Sequence, residues 1–305
     1  MRVVFFGTPE PAVVALDAIA GSGHDLAAVI TQPDKPRGRG RGVSASPVRE
    51  RAGVLGVECL QPPSPKDPAF IEHLRTLAPD IFAIVAYGHI LSRALLEVAP
   101  ALNAHFSLLP RYRGAAPVQR ALMDGATETG VSVFILEPTV DTGPVLARER
   151  VAIDPDENAG ELLARLAPIG ARLLVAALDA YPGGQAEVQS GRDASPAPKI
   201  RPEECIIDWT DAAPAIANRV RALAPRPGAY TFFGGKRLLI LRARACEGVG
   251  PPGGLLASPD GAIVATGAGA LAPLEVQREG KTPMSWDAFL RGSRPQPGEV
   301  LGATR

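Results

Sequence analysis

Cysteine and histidine are scarce in this chain, which has three Cys and four His among 305 residues. The cysteines, Cys59, Cys205 and Cys246, lie far apart and form no C-x-x-C pair. This spacing argues against a disulfide framework and against a zinc site, and it is typical of proteins from a reducing compartment. We therefore expect a cytoplasmic protein that binds no metal ion.

Long apolar runs are also missing. The 31 Pro and 32 Gly are scattered without a period, and they interrupt each apolar stretch before it is long enough to cross a bilayer. The first strand-like run starts directly at the N-terminus, in MRVVFFG, so we expect no signal peptide. These absences predict no membrane partner, no collagen-like region and no long disordered tract.

Net charge is absent as well, because 32 Lys and Arg balance 32 Asp and Glu. The two ends of the chain differ, however: residues 1–208 hold 20 basic and 25 acidic side chains, and residues 209–305 hold 12 and 7. No acidic residue stands between positions 212 and 246, where seven basic ones occur. A basic C-terminal part predicts a polyanionic partner, although a solvated basic surface explains these counts equally well.

The first half of the chain alternates strand-like and helix-like segments. The apolar run VVFFG (residues 3–7) is followed by a helical pattern, for which Thr8 is the predicted N-cap, and then by a second strand, HDLAAVIT. This rhythm predicts an α/β fold with a doubly wound, mostly parallel sheet of Rossmann-like type. The glycine fingerprint G-x-G-x-x-G does not follow the first strand, which disfavours a nicotinamide-dependent enzyme.

A basic stretch, QPDKPRGRGRGVSASP (residues 32–47), interrupts this rhythm. Lys35, Arg37, Arg39 and Arg41 alternate with Gly and Pro, so we expect a mobile, exposed loop that buries nothing. Alternating Arg and Gly can order on contact with RNA phosphates, and we favour this interpretation over a plain solvated linker.

Two polar side chains mark the end of a later strand. DIFAIVAYG (residues 80–88) and LNAHF (residues 102–106) are predicted strands whose carboxyl ends meet at one edge, where doubly wound sheets bind ligands. Asn103 and His105 are two residues apart, so both side chains lie on one face of their strand. Such a pair is more often structural than catalytic, but the Pro-, Arg- and Gly-rich loop that follows, SLLPRYRGAAP, is poor core material and favours catalysis.

Asp141 lies in a second tight loop, EPTVDTGPVL, between two strands that we predict to form a hairpin. Asp-Thr-Gly is by default a turn, with Asp capping and Gly supplying positive φ. An amide, an imidazole and a carboxylate nevertheless suffice for proton transfer and for stabilising an oxyanion. We interpret Asn103, His105 and Asp141 as the catalytic residues.

The last third of the chain reads as a separate β domain, and a length of 305 residues favours two domains. From Tyr230 onward, short apolar runs alternate with Gly-rich turns, which predicts a small β-barrel of the oligonucleotide-binding (OB) type. We place a catalytic domain at residues 1–188, a Pro-rich linker at 189–208 and a barrel domain at 209–305. Basic candidates for RNA contact in the barrel part are Arg219, Lys236 and Arg237.

The segment NAHFSLLPRYRGAAPVQRALMDGATETGVSVFILEPTVDTGPVL resembles the signature region of the 10-formyltetrahydrofolate-dependent formyltransferases. The resemblance includes the N-x-H-x-S-L-L-P-x-x-R-G core and the D-x-G loop at the expected distance, and it extends over nearly the whole chain. His89 departs from it by standing where an aliphatic residue is common, and Arg226 by standing where Trp is usual. Gly42 and Val43 replace the usual Lys and Leu of the basic stretch.

The resemblance is greatest to members of the family that act on methionyl initiator tRNA. It implies transfer of the formyl group of 10-formyltetrahydrofolate to the α-amino group of that tRNA, with the basic stretch in contact with its acceptor end. It implies catalytic roles for Asn103, His105 and Asp141. It also implies that the formyl donor is bound by Ala86, Tyr87, Gly88, Ser107, Leu108, Leu109, Pro110 and Val140. We expect a monomer.

Two other functions stay open at this point. The chain could formylate a small amine, such as a nucleotide sugar or glycinamide ribonucleotide, or it could be a non-catalytic RNA-binding relative. The intact set of Asn103, His105 and Asp141 disfavours the non-catalytic alternative. The basic stretch and the basic C-terminal part disfavour a small acceptor.

Overall fold

The computed structural model describes residues 1–37, 42–259, 261–295 and 299–302. The chain divides into two compact units, each made of several segments. The first unit comprises Met1–Pro117, Glu128–Ala152 and Leu163–Pro198, and the second comprises Val118–Thr127, Ile153–Leu162 and Lys199–Arg305. Among the described helices, none combines the length and the apolarity needed to span a bilayer.

The first unit is built on a seven-stranded sheet, accompanied by a short two-stranded ladder. In chain order the strands are β1 Arg2–Gly7, β2 Asp25–Ile30, β3 Lys35–Arg37, β4 Gly42–Ser44, β5 Cys59–Leu60, β6 Ile81–Val85, β7 Ala101–His105, β8 Glu128–Ile135 and β9 Val145–Ala152. The sheet order is β5-β2-β1-β6-β7-β8-β9, in which the first five strands are parallel, β8 pairs antiparallel with β7, and β9 pairs antiparallel with β8. The predicted doubly wound, mostly parallel sheet is confirmed.

Strands β1 and β6 are neighbours, although the chain visits β2 and β5 between them. The sheet therefore grows in one direction from β1 through β2 to β5, and in the other direction from β6 to β7. In doubly wound sheets, ligands bind beyond the carboxyl ends of the strands at this change of direction. The candidate residues after β6 and at the end of β7 therefore belong to the edge where a ligand site is expected.

The helices between residues 10 and 180 belong partly to the first unit and partly to the second, and several of them begin after a capping side chain. Their bounds are α1 Glu10–Ala20, α2 Pro47–Leu55, α3 Pro68–Thr76, α4 Arg93–Leu96, α5 Pro117–Met123 and α6 Ala159–Ala180. Ser46 and Asp67 cap α2 and α3, because each side-chain oxygen accepts a backbone N–H from the first turn. The predicted cap of α1 by Thr8 is wrong. Pro9 occupies the cap position, and the Thr8 hydroxyl lies 3.4 Å from the Tyr87 carbonyl oxygen.

The basic stretch is more regular than its composition predicts. Lys35 pairs with Ser44 and Arg37 pairs with Gly42, so that β3 and β4 form an antiparallel ladder. The loop expected for this stretch therefore contains a short ladder in its described residues. The predicted RNA contacts of Arg39 and Arg41 lie outside the described residues.

The second unit is dominated by an antiparallel sheet, in the part of the chain where the sequence predicts a small β-barrel. Its strands are β10 Ala229–Phe233, β11 Lys236–Cys246, β12 Leu255–Ser258, β13 Gly261–Ala265, β14 Ala270–Arg278 and β15 Met284–Ser285. The order is β10-β11-β14-β13-β12, with β15 paired to β14. Two further helices, α7 Ala213–Leu223 and α8 Trp286–Ser293, accompany this sheet, and both Trp209 and Trp286 are buried in its core.

Candidate active site

Strand β7 brings two of the three predicted catalytic side chains to the edge of the sheet. Leu102 and Ala104 are buried apolar residues, and Asn103 and His105 alternate with them along the strand. The Asn103 side chain is half-buried and makes no side-chain hydrogen bond within the described residues. Its amide is therefore available to a ligand.

The imidazole of His105 is held by a backbone carbonyl. Nε2 of His105 lies 2.8 Å from the carbonyl oxygen of Tyr112, which can only accept a hydrogen bond, so Nε2 carries a hydrogen. Nδ1 of the ring faces Asp141, whose Oδ2 is 3.7 Å away. This separation is too long for a direct hydrogen bond, but it is short enough for electrostatic attraction whenever the ring carries a hydrogen on both nitrogens. The structure thus brings His105 and Asp141 together, with Nδ1 as the ring nitrogen that remains for chemistry.

The loop after β7 also holds the Asp141 carboxylate. The backbone N–H of Gly114 donates to Asp141 Oδ2 over 2.8 Å. Gly114 has a φ of 133°, and a Cβ atom at this position would lie 2.4 Å from the carbonyl oxygen of Ala197. Only glycine fits this close approach, which explains why the loop contains it.

The Asp141 loop joins β8 to β9 and is strained at its functional residue. Asp141 has a φ of 50°, in the left-handed region that L-residues seldom adopt. Such conformations cost of the order of 1–3 kcal/mol and concentrate at functional sites, where the surrounding structure enforces them. Val140, beside it, is 49% exposed and contributes apolar surface to this loop.

The segment from Ser107 to Pro110, predicted to bind the formyl donor, is largely engaged within the protein. Ser132, which lies opposite His105 in the β7–β8 ladder, donates its hydroxyl to the Ser107 carbonyl oxygen and accepts the Leu109 N–H. Leu109 is buried against Phe134 and Val145. This segment can therefore shape a binding surface, but the Ser107 carbonyl oxygen and the Leu109 N–H already have partners. Ser132 was missed from the sequence, where its only signal is a lone hydroxyl in the apolar run GVSVFI.

The turn after β6 exposes backbone while it buries its aromatic side chain. Ala86 and Gly88 are exposed and have positive φ angles of 49° and 82°. Tyr87 between them is 2% exposed and packs edge-on against Phe6, with ring centroids 5.3 Å apart. Burial raises the pKa of its phenol to about 12. The predicted role of Tyr87 in donor binding can therefore involve only its backbone, and the Gln32 side chain already donates to its carbonyl oxygen over 2.7 Å.

The basic side chains of the second unit fall into two groups. Three of the six arginines between residues 212 and 246 form ion pairs with acids outside that stretch: Arg219 with Asp211 at 3.0 Å, Arg242 with Glu161, and Arg244 with Asp156 at 2.7 Å. Lys236 is exposed and has no ion pair in the described part of the chain, and the Arg237 guanidinium lies 3.8 Å from the Tyr230 ring centroid. The uncompensated basic surface is therefore smaller than the sequence counts predict.

The connector after α6 contributes to the candidate site, which the sequence did not predict. Gln189 contacts the Asp141 loop, and Ser195 accepts the backbone N–H of Tyr112 on its hydroxyl oxygen over 2.9 Å. Both residues belong to the first unit. No group of three or more His, Cys, Asp or Glu side chains that could hold a metal occurs among the described residues.

An amide, an imidazole and a carboxylate at the ligand edge of a doubly wound sheet are suited to transfer of an acyl-type group. Residues 1–178 match the family model described as formyl transferase, and residues 199–294 match the model described as formyl transferase, C-terminal domain. The chain belongs to the formyl transferase family, and the resemblance noted in the sequence is confirmed.

Within this family, the chain is similar over nearly its whole length to methionyl-tRNA formyltransferases. It is 46% identical to the methionyl-tRNA formyltransferase of Streptomyces coelicolor, over 99% of this chain and 100% of that protein. It is 47% identical to the methionyl-tRNA formyltransferase of Myxococcus xanthus, over 97% of this chain and 96% of that protein.

Solved structures share the fold at lower identity. The sugar 3N-formyltransferase WlaRD, solved with dTDP and 5-N-formyl-THF, is 16% identical and has a TM-score of 0.68, covering 92% of this chain and 99% of that one. Phosphoribosylglycinamide formyltransferase from Bacillus halodurans is 21% identical and has a TM-score of 0.51, covering 60% and 97%. At these identities the similarity establishes the fold alone.

Proposed function

We propose that this chain transfers the formyl group of 10-formyltetrahydrofolate to the α-amino group of methionyl initiator tRNA, for translation initiation. The observation that carries the proposal is the 46% identity to the Streptomyces coelicolor methionyl-tRNA formyltransferase over nearly the whole of both chains. The position of Asn103, His105 and Asp141 at the ligand edge of the sheet supports the chemistry.

The residues at this edge fit a flat heterocyclic donor. Ala86 and Gly88 are exposed where β6 ends, and Ile90 and Val140 present apolar side chains that are 64% and 49% exposed. Exposed apolar side chains beside accessible backbone are typical of small-molecule sites. When bound, 10-formyltetrahydrofolate supplies a formyl carbon already bonded to nitrogen, so the protein has to polarise that group and manage protons.

Asn103 would donate a side-chain N–H to the formyl oxygen as the amine attacks. The half-buried amide of Asn103 is suited to this role because it has no other partner among the described residues. A donor aimed at developing negative charge acts in the transition state, and removing one such donor typically costs about 100- to 1,000-fold in rate.

His105 would work through Nδ1, because its Nε2–H is donated to Tyr112. Nδ1 can donate to the formyl oxygen only when the ring carries both hydrogens. The Asp141 carboxylate, 3.7 Å away, stabilises this cation and provides an acceptor for the proton that leaves the amine. The departing nitrogen of the donor takes up a proton in turn, so the set holds and returns protons without net consumption.

The tRNA would be bound by basic groups outside this edge. Lys35 and Arg37 belong to β3, and Arg39 and Arg41 follow them in the same basic stretch. Lys236, Arg237 and Arg219 are the further candidates in the second unit, of which Lys236 has the most accessible charge. Phosphate neutralisation by such groups supplies sequence-independent affinity.

We further propose a cytoplasmic monomer that needs no metal for the transfer. It would be divided into a catalytic domain at residues 1–188, a linker at 189–208 and a tRNA-binding domain at 209–305. Size-exclusion chromatography with light scattering gives the oligomeric state directly, and a mass near twice 31.8 kDa would contradict the monomer.

The decisive experiment supplies the purified chain with 10-formyltetrahydrofolate and charged initiator tRNA. We expect formyl-methionine to appear on the tRNA. Free methionine, an amino sugar linked to dTDP and glycinamide ribonucleotide serve as competing acceptors in parallel reactions. Formylation of one of these small amines with no product on tRNA would overturn the proposal and establish a small-acceptor formyltransferase instead.

A further inference from the structure

The side chain of Gln189 bridges two loops of the first unit. Its Nε2 donates to the carbonyl oxygens of Asp141 (2.9 Å) and Gly143 (2.7 Å). Its Oε1 accepts hydrogen bonds from Nε (3.1 Å) and Nη2 (2.7 Å) of Arg113. A glutamine amide has two donor hydrogens and two acceptor lone pairs, so the side chain is fully used. One residue thus ties the loop after β7 to the Asp141 loop.

The carbonyl groups that Gln189 holds flank the strained point of the Asp141 loop. Asp141 has a φ of 50°, and its own carbonyl and that of Gly143 both point to Nε2 of Gln189. A left-handed conformation costs free energy in a residue with a Cβ atom, and hydrogen bonds from neighbouring groups stabilise it. Gln189 donates such hydrogen bonds to the backbone carbonyls of the loop, while the Gly114 N–H donates one to the Asp141 carboxylate.

The connector that carries Gln189 is itself anchored on both sides. Upstream, Glu187 and Val145 exchange two backbone hydrogen bonds of 2.8 Å each. Downstream, the Arg113 N–H donates to the Ser195 carbonyl oxygen over 2.8 Å, and the Ala197 N–H donates to the Arg113 carbonyl oxygen over 2.6 Å. The reach of Gln189 to both loops is therefore fixed by backbone contacts.

We propose that Gln189 is a positioning residue for formyl transfer, which keeps the Asp141 carboxylate in place beside Nδ1 of His105. This inference rests on the function proposed above and deepens it. Gln189 acts through Asp141 and touches neither the formyl group nor the amine. Its removal lets the Asp141 loop relax from its strained conformation and moves the carboxylate away from the ring.

Two substitutions distinguish the hydrogen bonds that Gln189 accepts from Arg113 from those that it donates to the two carbonyl oxygens. Gln189→Leu removes all four hydrogen bonds, whereas Gln189→Glu retains acceptors for Arg113 but offers no donor to the two carbonyls. Because displacement of a catalytic group by about 1 Å can cost roughly 100-fold, we expect kcat to fall about 10- to 100-fold in both variants. The KM for tRNA should change less than about 2-fold, since no phosphate contact is altered.

A matched control addresses general destabilisation. Asp67→Ala removes the N-cap of α3, a hydrogen bond from the Ala69 N–H that lies in the same unit and outside the two loops that Gln189 joins. It should lower thermal stability by an amount comparable to a lost cap while kcat stays at the wild-type value. A parallel fall of kcat and stability in Asp67→Ala would assign the Gln189 effect to folding and overturn the proposal.

A double-mutant cycle tests whether Gln189 works through Asp141. In the Asp141→Asn background, Gln189→Leu should reduce kcat by less than about 2-fold further, because the carboxylate it positions is already gone. If the two effects multiply in full, Gln189 acts independently of Asp141 and the inference is wrong.

A readout that needs no turnover keeps this inference separate from the proposed function. The Gly114 amide donates to Asp141 Oδ2, so its hydrogen exchange should accelerate at least several-fold in Gln189→Leu. If the wild type formylates tRNA but Gln189→Leu matches it in kcat and in Gly114 exchange, only the inference fails. If the wild type forms no formyl-methionine, the proposed function fails, and an unchanged Gly114 exchange would overturn the positioning role as well.

Discussion

Asp141 in the first unit and Arg244 in the second are both charged side chains with hydrogen-bonded partners, but they are held in different ways. The Asp141 side chain is 13% exposed, accepts a backbone N–H from Gly114 and faces the buried ring of His105. The Arg244 side chain is 63% exposed and, among the residues that the structure describes, is paired only with Asp156, a side chain that is itself mostly exposed. Backbone groups and burial define one environment, and two solvated side chains define the other.

This difference explains why the sequence predicts the side chains of the catalytic strand better than it predicts the charge of the second unit's surface. The face shared by Asn103 and His105 follows from strand alternation alone, because it depends on local geometry. The charge of the acid-free stretch does not follow from local counts, because Asp156 and Glu161 reach Arg244 and Arg242 from more than 80 residues away. A basic run in sequence is therefore weak evidence for a basic surface.

The largest predicted effect is on the rate of formylation, and it comes from substitutions at the candidate active site of the first unit. Asn103→Ala and His105→Ala should each reduce formylation about 100-fold or more, because each removes a group aimed at the reacting carbon. Arg244→Gln, in the solvated region, should leave kcat unchanged. The measurement is single-turnover formylation of charged initiator tRNA. Folate binding, followed by equilibrium titration, should persist in both site variants, and turnover near the wild-type rate in either one would contradict the assignment.

The basic stretch should give the next largest effect, on binding rather than on chemistry. Neutralising Arg37, Arg39 and Arg41 together to Gln should raise the KM for tRNA about 10-fold or more and flatten its salt dependence. The slope of log affinity against log salt is expected to fall by roughly 0.9 for each lost phosphate contact. An unchanged KM and slope would remove this stretch from the tRNA interface.

Arg120 and Glu204 in the second unit form a partly buried ion pair at 2.5 Å, with an exposure between those of Asp141 and Arg244. The hydrogen bond from Arg120 lowers the pKa of Glu204 from 4.5 to about 2. Because the folded-state pKa is depressed, the stabilisation is complete above pH 4.5 and is lost as the pH falls from 4.5 towards 2. Glu204→Gln should therefore cost of the order of 1–2 kcal/mol at pH 7, after allowance for solvent screening, and progressively less below pH 4.5.

The chain offers a convenient probe for this prediction. Its two tryptophans, Trp209 and Trp286, are both buried in the core of the second unit, so their fluorescence during urea unfolding reports on that unit. Wild type and Glu204→Gln should differ most at neutral pH and converge in acid. A difference that stays constant between pH 7 and pH 3 would show that the pair contributes packing rather than charge.

The smallest effects should separate two basic candidates of the second unit. Lys236 is exposed and has no ion pair within the described residues, whereas Arg219 has to leave Asp211 before it can bind a phosphate. Lys236→Gln should raise the KM for tRNA about 2- to 5-fold, and Arg219→Gln less than about 2-fold. The reverse order, measured at low salt, would mean that the Arg219–Asp211 pair opens on binding.

Much of the fold was accessible from the sequence because its signals are local. Buried strands ending in Gly, the Ser46 and Asp67 caps and the alternation around Asn103 each depend on a few neighbouring residues. The Thr8 cap failed because Pro9 took the cap position and the Thr8 hydroxyl turned to Tyr87, a contact across 79 residues.

The finer features of the candidate site depend on contacts of this long-range kind. The donation of His105 Nε2–H to Tyr112, the Ser132 hydroxyl and the Gln189 bridge are set by how separate loops meet. Gln189 lies 48 residues from Asp141, inside a polar segment that reads as a simple linker. Nothing in its composition marks one glutamine as the residue that joins two loops.

The close approach of Gly114 to Ala197 has a consequence for how this chain can vary. The missing Cβ leaves a gap too narrow for a methyl group, so position 114 is closed to nineteen of the twenty amino acids unless the connector withdraws. A side chain at position 114 therefore requires a backbone shift of the connector at Ala197, so the course of the segment after α6 limits which residue the catalytic loop can carry there.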